Sequence, residues 1–457
     1  MSPESIILIF DIGKTNKKLL LFDKQYRIVR EQTVQLNEIT DEDGYPCEDI
    51  DTLSDWIRTK FNEIKASGEF ELKALNVAAY GASFVHLNEN VEVCAPLYNY
   101  QKPYPVALRE KFYATYGGEI GFSLLTASPV LGSLNSGMQL YRMKKEQPKV
   151  FTRVHYSLHL PQYLTWLISG HTCSDITSIG CHTGLWDFSK RTYHDWVGAE
   201  GVASKLPPII SSDKLLSVKR NDLTVSVGVG LHDSSAALIP YLAQVHDPFI
   251  LLSTGTWNIS LNPFNHTPLT AQELSQDCLC YLDYRGHPVK ASRLFAGNEH
   301  EQQAKRLAEY YHVAPDQYKT IHFDAGIAEA LRRATSIQIA GSHPHSGIAF
   351  CNRDLSHFQT YEVAYHQLIL DLIEQQVIST RLVINETGQV RRIFVDGGFS
   401  NNEIFMNLFA AAFRDMKIFA ATVPHATALG AALAIHAHWN TKEPPADLIK
   451  LKYYGIT

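Results

Sequence analysis

The chain has 457 residues, 45% hydrophobic and 19% charged, with a formal net charge of −6. That is too long for one compact core and ordinary in composition for a two-domain globular protein, so a cleft between two lobes is expected. No run of Lys and Arg is long enough to track a nucleic-acid backbone, which excludes nucleic acid as a partner.

The first apolar stretch, Ile6 to Phe10, is cut by Asp11 and has no basic residues ahead of it. It fits neither a signal peptide nor a membrane span, and a cytoplasmic enzyme without a membrane partner is expected. It reads instead as a strand from Ser5 to Ile12, followed by a polar turn, a strand from Lys17 to Phe22, a tight turn, and a third strand to about Leu36. Trp56, Ile57, Phe61 and Ile64 mark one face of a helix, and Leu72 to Tyr80 a fourth strand. A helix from Ser234 to Leu242 is expected behind the turn Gly228 to Gly230.

A similar opening recurs at Phe249 to Ser253, with a turn at Thr254-Gly255-Thr256 and a strand from Trp257 to Leu261. Laying Gly13 on Gly255 also lays Asn16 on Asn258 and Leu19 on Leu261, which suggests duplication of one strand-turn-strand device. Tyr365 to Val377 repeats as a long helix, and a strand from Arg392 to Val395 runs into Asp396-Gly397-Gly398 before a helix bearing Phe405, Leu408, Phe409 and Phe413. Glycines at such a strand-to-helix junction let a nucleoside approach the backbone. The small residues from Ala426 to Ala432 suit a tightly packed helix at a hinge or beside a nucleotide. The seven cysteines form no C-x-x-C pair and are expected to be reduced. Cys278 with Cys280, and His343 with His345, lack further ligands at metal spacing, so no zinc is assigned.

Gly13-Lys14-Thr15 looks like the end of a P-loop, but position 8 is Leu where that motif needs Gly. What remains is a strand-end carboxylate, Asp11, followed by a glycine turn. Such a turn can cradle phosphate oxygens while Asp11 holds a hydrated Mg²⁺, or it can be an ordinary surface turn. Thr254-Gly255-Thr256 makes the same offer from the second half. Asp233 stands at the start of a helix, either as its N-cap or as a general base toward an attacking hydroxyl. Tyr98, Tyr100 and Tyr104 could floor a sugar site or simply pack.

In this order and spacing, Asp11 to Lys18, Asp233 with its glycine turn, Thr254 to Trp257 and Gly397 to Asn402 resemble the four motifs of the FGGY family of carbohydrate kinases, most closely its rhamnulokinase and fuculokinase members. The resemblance implies an α/β fold of two actin-like (ribonuclease H-like) domains, residues 1–245 and 246–457, closing on ATP, Mg²⁺ and a small sugar. It implies phosphate binding by Gly13, Lys14, Thr15, Asn16 and Lys18 from one side and by Thr254, Gly255 and Thr256 from the other. Adenosine would lie against Gly397, Gly398, Phe399 and Asn402, and the sugar against Tyr80, Gly81, Ser83, Phe84, His232 and Asp233. Asp233 would be the catalytic base, and Asp11 with Asp233 would hold the metal. A homodimer is compatible with this reading. Three positions depart from the pattern: Ser83 stands where rhamnulokinases have Asp; Lys14, where a small or hydroxyl residue is usual, is expected to pair with phosphate or with Asp11; and Phe399, where a third glycine is common, is expected to tighten the adenine pocket.

Overall fold

The computed structural model describes residues 3–216, 225–339, 350–384 and 389–455; His343 and His345 lie outside them. Ile6 to Phe10 are completely buried, so the first strand, β1 (Glu4–Ile12), is central and is covered on both faces. It pairs antiparallel with β2 (Lys17–Phe22), which pairs antiparallel with β3 (Ile28–Val34). The third strand stops two residues short of Leu36. Helix α1 (Ile50–Ala66) starts on an Asp49 cap that accepts the Thr52 amide, and buries Ile57, Phe61 and Ile64 while Trp56 stays half-buried. On the other side of β1, β4 (Phe70–Ala79) runs parallel to it. Past α2 (Leu160–Ser169), β5 (Leu215–Leu216), β6 (Ser226–Gly228) and β7 (Leu231–His232) complete a seven-stranded sheet among the described residues, with both β6 and β7 parallel to β4. Helix α3 (Asp233–Gln244) follows directly on β7.

The second sheet repeats this plan. Strands β8 (Phe249–Thr254), β9 (Asn258–Asn262), β10 (Cys278–Leu282) and β11 (Pro288–Leu294) form an antiparallel set. Helices α4 (Ala296–Tyr311) and α5 (Tyr361–Leu382) lead to β12 (Arg392–Gly397), α6 (Glu403–Ala412), β13 (Lys417–Thr422), α7 (Ala426–Ala434) and β14 (Lys450–Tyr454). Its order is β10-β11-β9-β8-β12-β13-β14, with β8, β12 and β13 parallel. The run β3-β2-β1-β4-β6 of the first sheet therefore matches β11-β9-β8-β12-β13 of the second, strand for strand and direction for direction. This is the two-domain actin-like α/β fold.

The duplication holds at the level of strands but not in the residue match suggested by the sequence. In the first hairpin Ile12 faces Lys17, whereas in the second Thr254 faces Asn258, so the second turn is one residue shorter. Asn258 is thus the counterpart of Lys17, not of Asn16. Trp257 likewise belongs to the turn and is exposed.

Helix α7 packs against α3, and one apolar core contains Ile7 and Ala78 of the first sheet, Leu251 and Phe394 of the second, and Ala428 and Leu429 of α7. A Cβ on Gly430 would land on the carbonyl oxygen of Ala236 in α3. Fully buried Asn76 of β4 donates to Ala431 O (2.8 Å) and accepts the Gly230 amide (3.1 Å), tying the turn before Asp233 to the C-terminal half. Gly430→Ala must push two helices apart and is expected to lose about 1–3 kcal/mol in urea denaturation; an unchanged midpoint would contradict this packing.

Candidate active site

Asp11 is the penultimate residue of β1 and Gly397 the last of β12, while Tyr80, Asp233 and Gly255 directly follow β4, β7 and β8, so the chemistry-bearing residues gather at the carboxyl ends of the strands. In open α/β sheets that is where ligands bind. Asp11 and Asp233 meet there. Burial, then the Asp233 charge, push the Asp11 carboxyl from the ordinary 3.8 up to about 6, with Lys18 pulling against them. Lys18 faces Asp11 across the β1–β2 pair and has no ion pair or hydrogen bond among the described residues.

Asp233 is the first residue of α3, and the cap position belongs to His232. The N-cap alternative therefore fails by one residue. Asp233 Oδ1 accepts the amide of Ser234 (2.6 Å) and lies 3.4 Å from His232 Nε2, while Oδ2 has no hydrogen bond among the described residues. One oxygen orients the carboxylate and the other is left to accept a proton. His232 is buried, its backbone amide held by Thr177 Oγ1 (3.0 Å), and its Nδ1 has no partner. Burial lowers the pKa of His232 against the pull of the Asp233 charge, and takes His159 and His182 down to about 3, which favours the neutral form of each ring.

Gly81 has to be glycine: a Cβ there would sit 2.5 Å from His232 Cδ2. Ser83 Oγ is buried without a partner among the described residues, as are Gln139 Oε1 and His182 Nδ1. Gln139 donates to Ala82 O (2.6 Å), and Asn135 donates to His182 O (2.7 Å), so one helix start braces both segments. Buried polar atoms are seldom left unpaired, and these fit a polyhydroxylated ligand. Tyr100 is next to Tyr80, at 6.1 Å between ring centroids, and the Asp233 charge reaches it. Tyr98 is tied to Glu42 and Gln147, and the Tyr104 hydroxyl is buried without a partner.

In the second half a cleft of about 850 Å³ is lined by Gly255, Thr256, Gly297, His300, Tyr318, Gly398, Phe399 and Asn402, among others. A Cβ on Gly297 would land on Gly255 O, so α4 begins directly against the second glycine turn. Gly397 has φ +90°, and a Cβ there would strike Thr254 O, whereas Gly398 opens onto free space. Helix α3 joins the two groups of residues: Tyr241 donates to Asp396 Oδ2 (2.8 Å), at the strand end that leads into Gly397.

Two family models cover nearly the whole chain: the N-terminal domain of the FGGY family of carbohydrate kinases over residues 6–239, and the carbohydrate kinase FGGY C-terminal domain over 246–444. The chain belongs to the FGGY family of carbohydrate kinases. It is 24% identical over 264 residues to a rhamnulokinase of Halalkalibacterium halodurans, covering 55% of each protein. It is 22% identical over 271 residues to L-fuculokinase of Escherichia coli, covering 56% of each. The chain thus spans about half the length of the curated relatives it matches. A carbohydrate kinase structure from Novosphingobium aromaticivorans superposes with a TM-score of 0.78 at 22% identity, over 100% of this chain and 95% of that one, which shows the shared fold.

Within this FGGY site several expected contacts are redirected. Lys14 pairs with Glu38 and lies 6.0 Å from the Tyr80 ring, so neither the expected bond to Asp11 nor a free phosphate-facing amine is present; Lys18 takes the place beside Asp11. The Thr254 hydroxyl is turned inward, donating to Asp396 O (2.6 Å) and accepting the Phe399 amide (3.0 Å), which removes it from a phosphate grip. Asn402 Oδ1 caps α6, and its amide donates to Tyr365 (2.7 Å), so its side chain holds the cleft floor together. Phe399 stacks on Phe405 at 4.5 Å and Phe84 on His159 at 3.9 Å; both rings pack inward, and Phe84, only 1% exposed, backs the acceptor wall without forming it. Gly13 donates its amide to Asn16 O (2.9 Å), the Asn16 side chain accepts from Gln35, and Thr15 and Thr256 are exposed.

Sequence reasoning missed Gly297, His300 and Tyr318, and also Arg293. Arg293 pairs with Asp277 (2.6 Å), lies over the Trp257 ring at 5.3 Å, and carries its charge to Cys181 and His182 of the first half. Gly297 could have been read from its place at a helix start after an alternating strand, but nothing local marks the other three.

Among the described residues no three His, Cys, Asp or Glu side chains are grouped to hold a metal by themselves. Asp11 and Asp233 supply two electrostatically coupled carboxylates, a donor set that would suit a hydrated Mg²⁺. Because the Asp11 value is raised on folding, the stability it contributes is complete below pH 3.8 and is lost as the pH climbs through about 6. Without nucleotide and metal, Asp11→Asn is therefore expected to melt higher than the unaltered chain above about pH 7, with the gain shrinking through about pH 6. A gain that is independent of pH would mean that Asp11 does not titrate there.

Proposed function

We propose that the chain is an ATP-dependent, Mg²⁺-requiring kinase that phosphorylates a hydroxyl of a small sugar, a ketose of the 6-deoxyketose class such as L-rhamnulose or L-fuculose. The observation that carries this reading is that Asp233, whose Oδ2 has no hydrogen bond among the described residues, and Asp11 stand at the carboxyl ends of parallel strands of one sheet and feel one another's charge. Family membership and the likeness to rhamnulokinase and L-fuculokinase support it.

Asp233 Oδ2 accepts the proton of the attacking alcohol while Ser234 and His232 hold Oδ1 in place. Neutral His232 and His182, with Ser83 and Gln139, offer hydrogen bonds to the remaining hydroxyls. Lys18 faces the transferred charge from the first hairpin, and the Gly255 turn borders the phosphates from the second. Asp11 and Asp233 would hold Mg²⁺, which would supply charge neutralisation. Phosphoryl transfer has a loose transition state, so position and charge matter more than basicity. With a boundary at residue 245, the acceptor and base would lie in the first half and the nucleoside in the second.

Asp233→Asn is expected to lower kcat by about 10²–10⁴-fold with the fold intact, and near-normal turnover would remove Asp233 from the role of base. ADP release should rise with L-rhamnulose or L-fuculose and stay low with glycerol. The reverse pattern would replace the ketose by a polyol, and no response to any acceptor would end the kinase reading. Gly398→Val adds bulk only to open space, so it should raise KM for ATP by about tenfold while costing under about 1 kcal/mol of stability. Unchanged KM would place the nucleoside elsewhere.

A further inference from the structure

The short hairpin of Glu38–Thr40 with Pro46–Glu48 sets Glu38 directly opposite Glu48. Two like charges at paired positions are unfavourable unless each is compensated. Each is: Glu38 holds Lys14, and Glu48 holds Lys17 at 2.9 Å with both side chains 2% exposed. Lys17 Nζ also donates to Lys14 O (2.9 Å), inside the first glycine turn. From the other side Tyr80 donates its phenol proton to Glu48 Oε2 (3.1 Å). The Tyr80 amide donates to Ile12 O (3.0 Å), the last residue before that turn.

A buried Lys–Glu pair is a poor source of stability, because desolvation offsets most of the attraction. What this pair does hold is geometry: its lysine fixes a carbonyl of the phosphate turn, and its glutamate fixes a side chain of the acceptor wall. The Tyr80 hydroxyl is consumed by Glu48, so Tyr80 can offer an acceptor only its ring, a surface suited to the C–H face of a sugar.

We propose that Lys17, Glu48 and Tyr80 are positioning residues that join the first phosphate turn and the acceptor wall into one unit, so that nucleotide and acceptor sites tighten together. The proposal rests on the functional reading above, in that it takes the Gly13 turn as a phosphate cradle and Tyr80 as acceptor wall. No residue of the trio transfers a proton; Lys17 and Glu48 act through the groups they hold, and Tyr80 through the placing of its ring.

The test is calorimetric titration with Mg²⁺ and the non-hydrolysable analogue AMP-PNP, together with steady-state kinetics using L-rhamnulose. Glu48→Gln is expected to weaken AMP-PNP binding and to raise the acceptor KM by about tenfold each, the scale of coupling within one hydrogen-bonded network. Tyr80→Phe keeps the buried ion pair and removes only the hydroxyl, so it decides the matter if the first variant does not fold. It should move both quantities the same way, by about threefold. Ile57→Val in α1 serves as a control that lowers melting temperature and moves neither. Variants that melt lower yet bind AMP-PNP within about twofold of the unaltered chain, or that move the acceptor KM alone, overturn the proposal. A chain that binds AMP-PNP but phosphorylates no acceptor has failed the functional reading, and the response of AMP-PNP binding to Tyr80→Phe still decides the coupling.

Discussion

Helix α3 is gripped from both halves of the molecule at once. Its first residue is Asp233, its Ala236 carbonyl meets Gly430 of α7 with no room for a Cβ, and its Tyr241 bonds to Asp396 at the edge of the nucleotide-sized cleft. A helix that follows the first sheet at its start, packs on α7 at its middle and bonds to the second sheet near its end cannot shift without moving Asp233. The buried Asn76 repeats the constraint one step earlier, since it anchors the turn that delivers Asp233 to a carbonyl of α7.

That constraint explains how the structure can hold two carboxylates against one another. Burial first, and then the Asp233 charge, raise the Asp11 pKa, and Lys18 offsets only part of the rise. A bound cation would lower the Asp11 pKa again, since a nearby positive charge favours the ionised carboxylate. The lysines of the first hairpin divide the work: Lys14 and Lys17 are bound to glutamates of one small hairpin, and Lys18 is left to face Asp11.

Much of this was legible in the sequence because it is local. The apolar runs at Ile6–Phe10 and Phe249–Leu252 announce buried central strands, and the strand Lys17–Phe22 ends where its pattern ends. The glycines at 397 and 398, and the small residues of α7, mark close approach of backbone. Asp233 could be placed at a helix start, though whether as cap or base depended on a single residue of register. The partners of the polar residues were not legible. Lys14 finds Glu38, Thr254 turns inward to Asp396 and Phe399, and Asn402 binds Tyr365, all through long-range packing that spacing does not encode. The duplicated hairpins misled in the same way, since a one-residue shorter turn preserves the glycine and displaces everything after it.

The central claim is that one divalent cation sits between Asp11 and Asp233 when nucleotide is bound. Anomalous diffraction from crystals grown with Mn²⁺ and AMP-PNP tests it most directly. The account predicts a single strong manganese peak within water-bridging reach of both carboxylates, beside the Gly13 and Gly255 turns. A peak remote from both carboxylates, with nucleotide present, would contradict it.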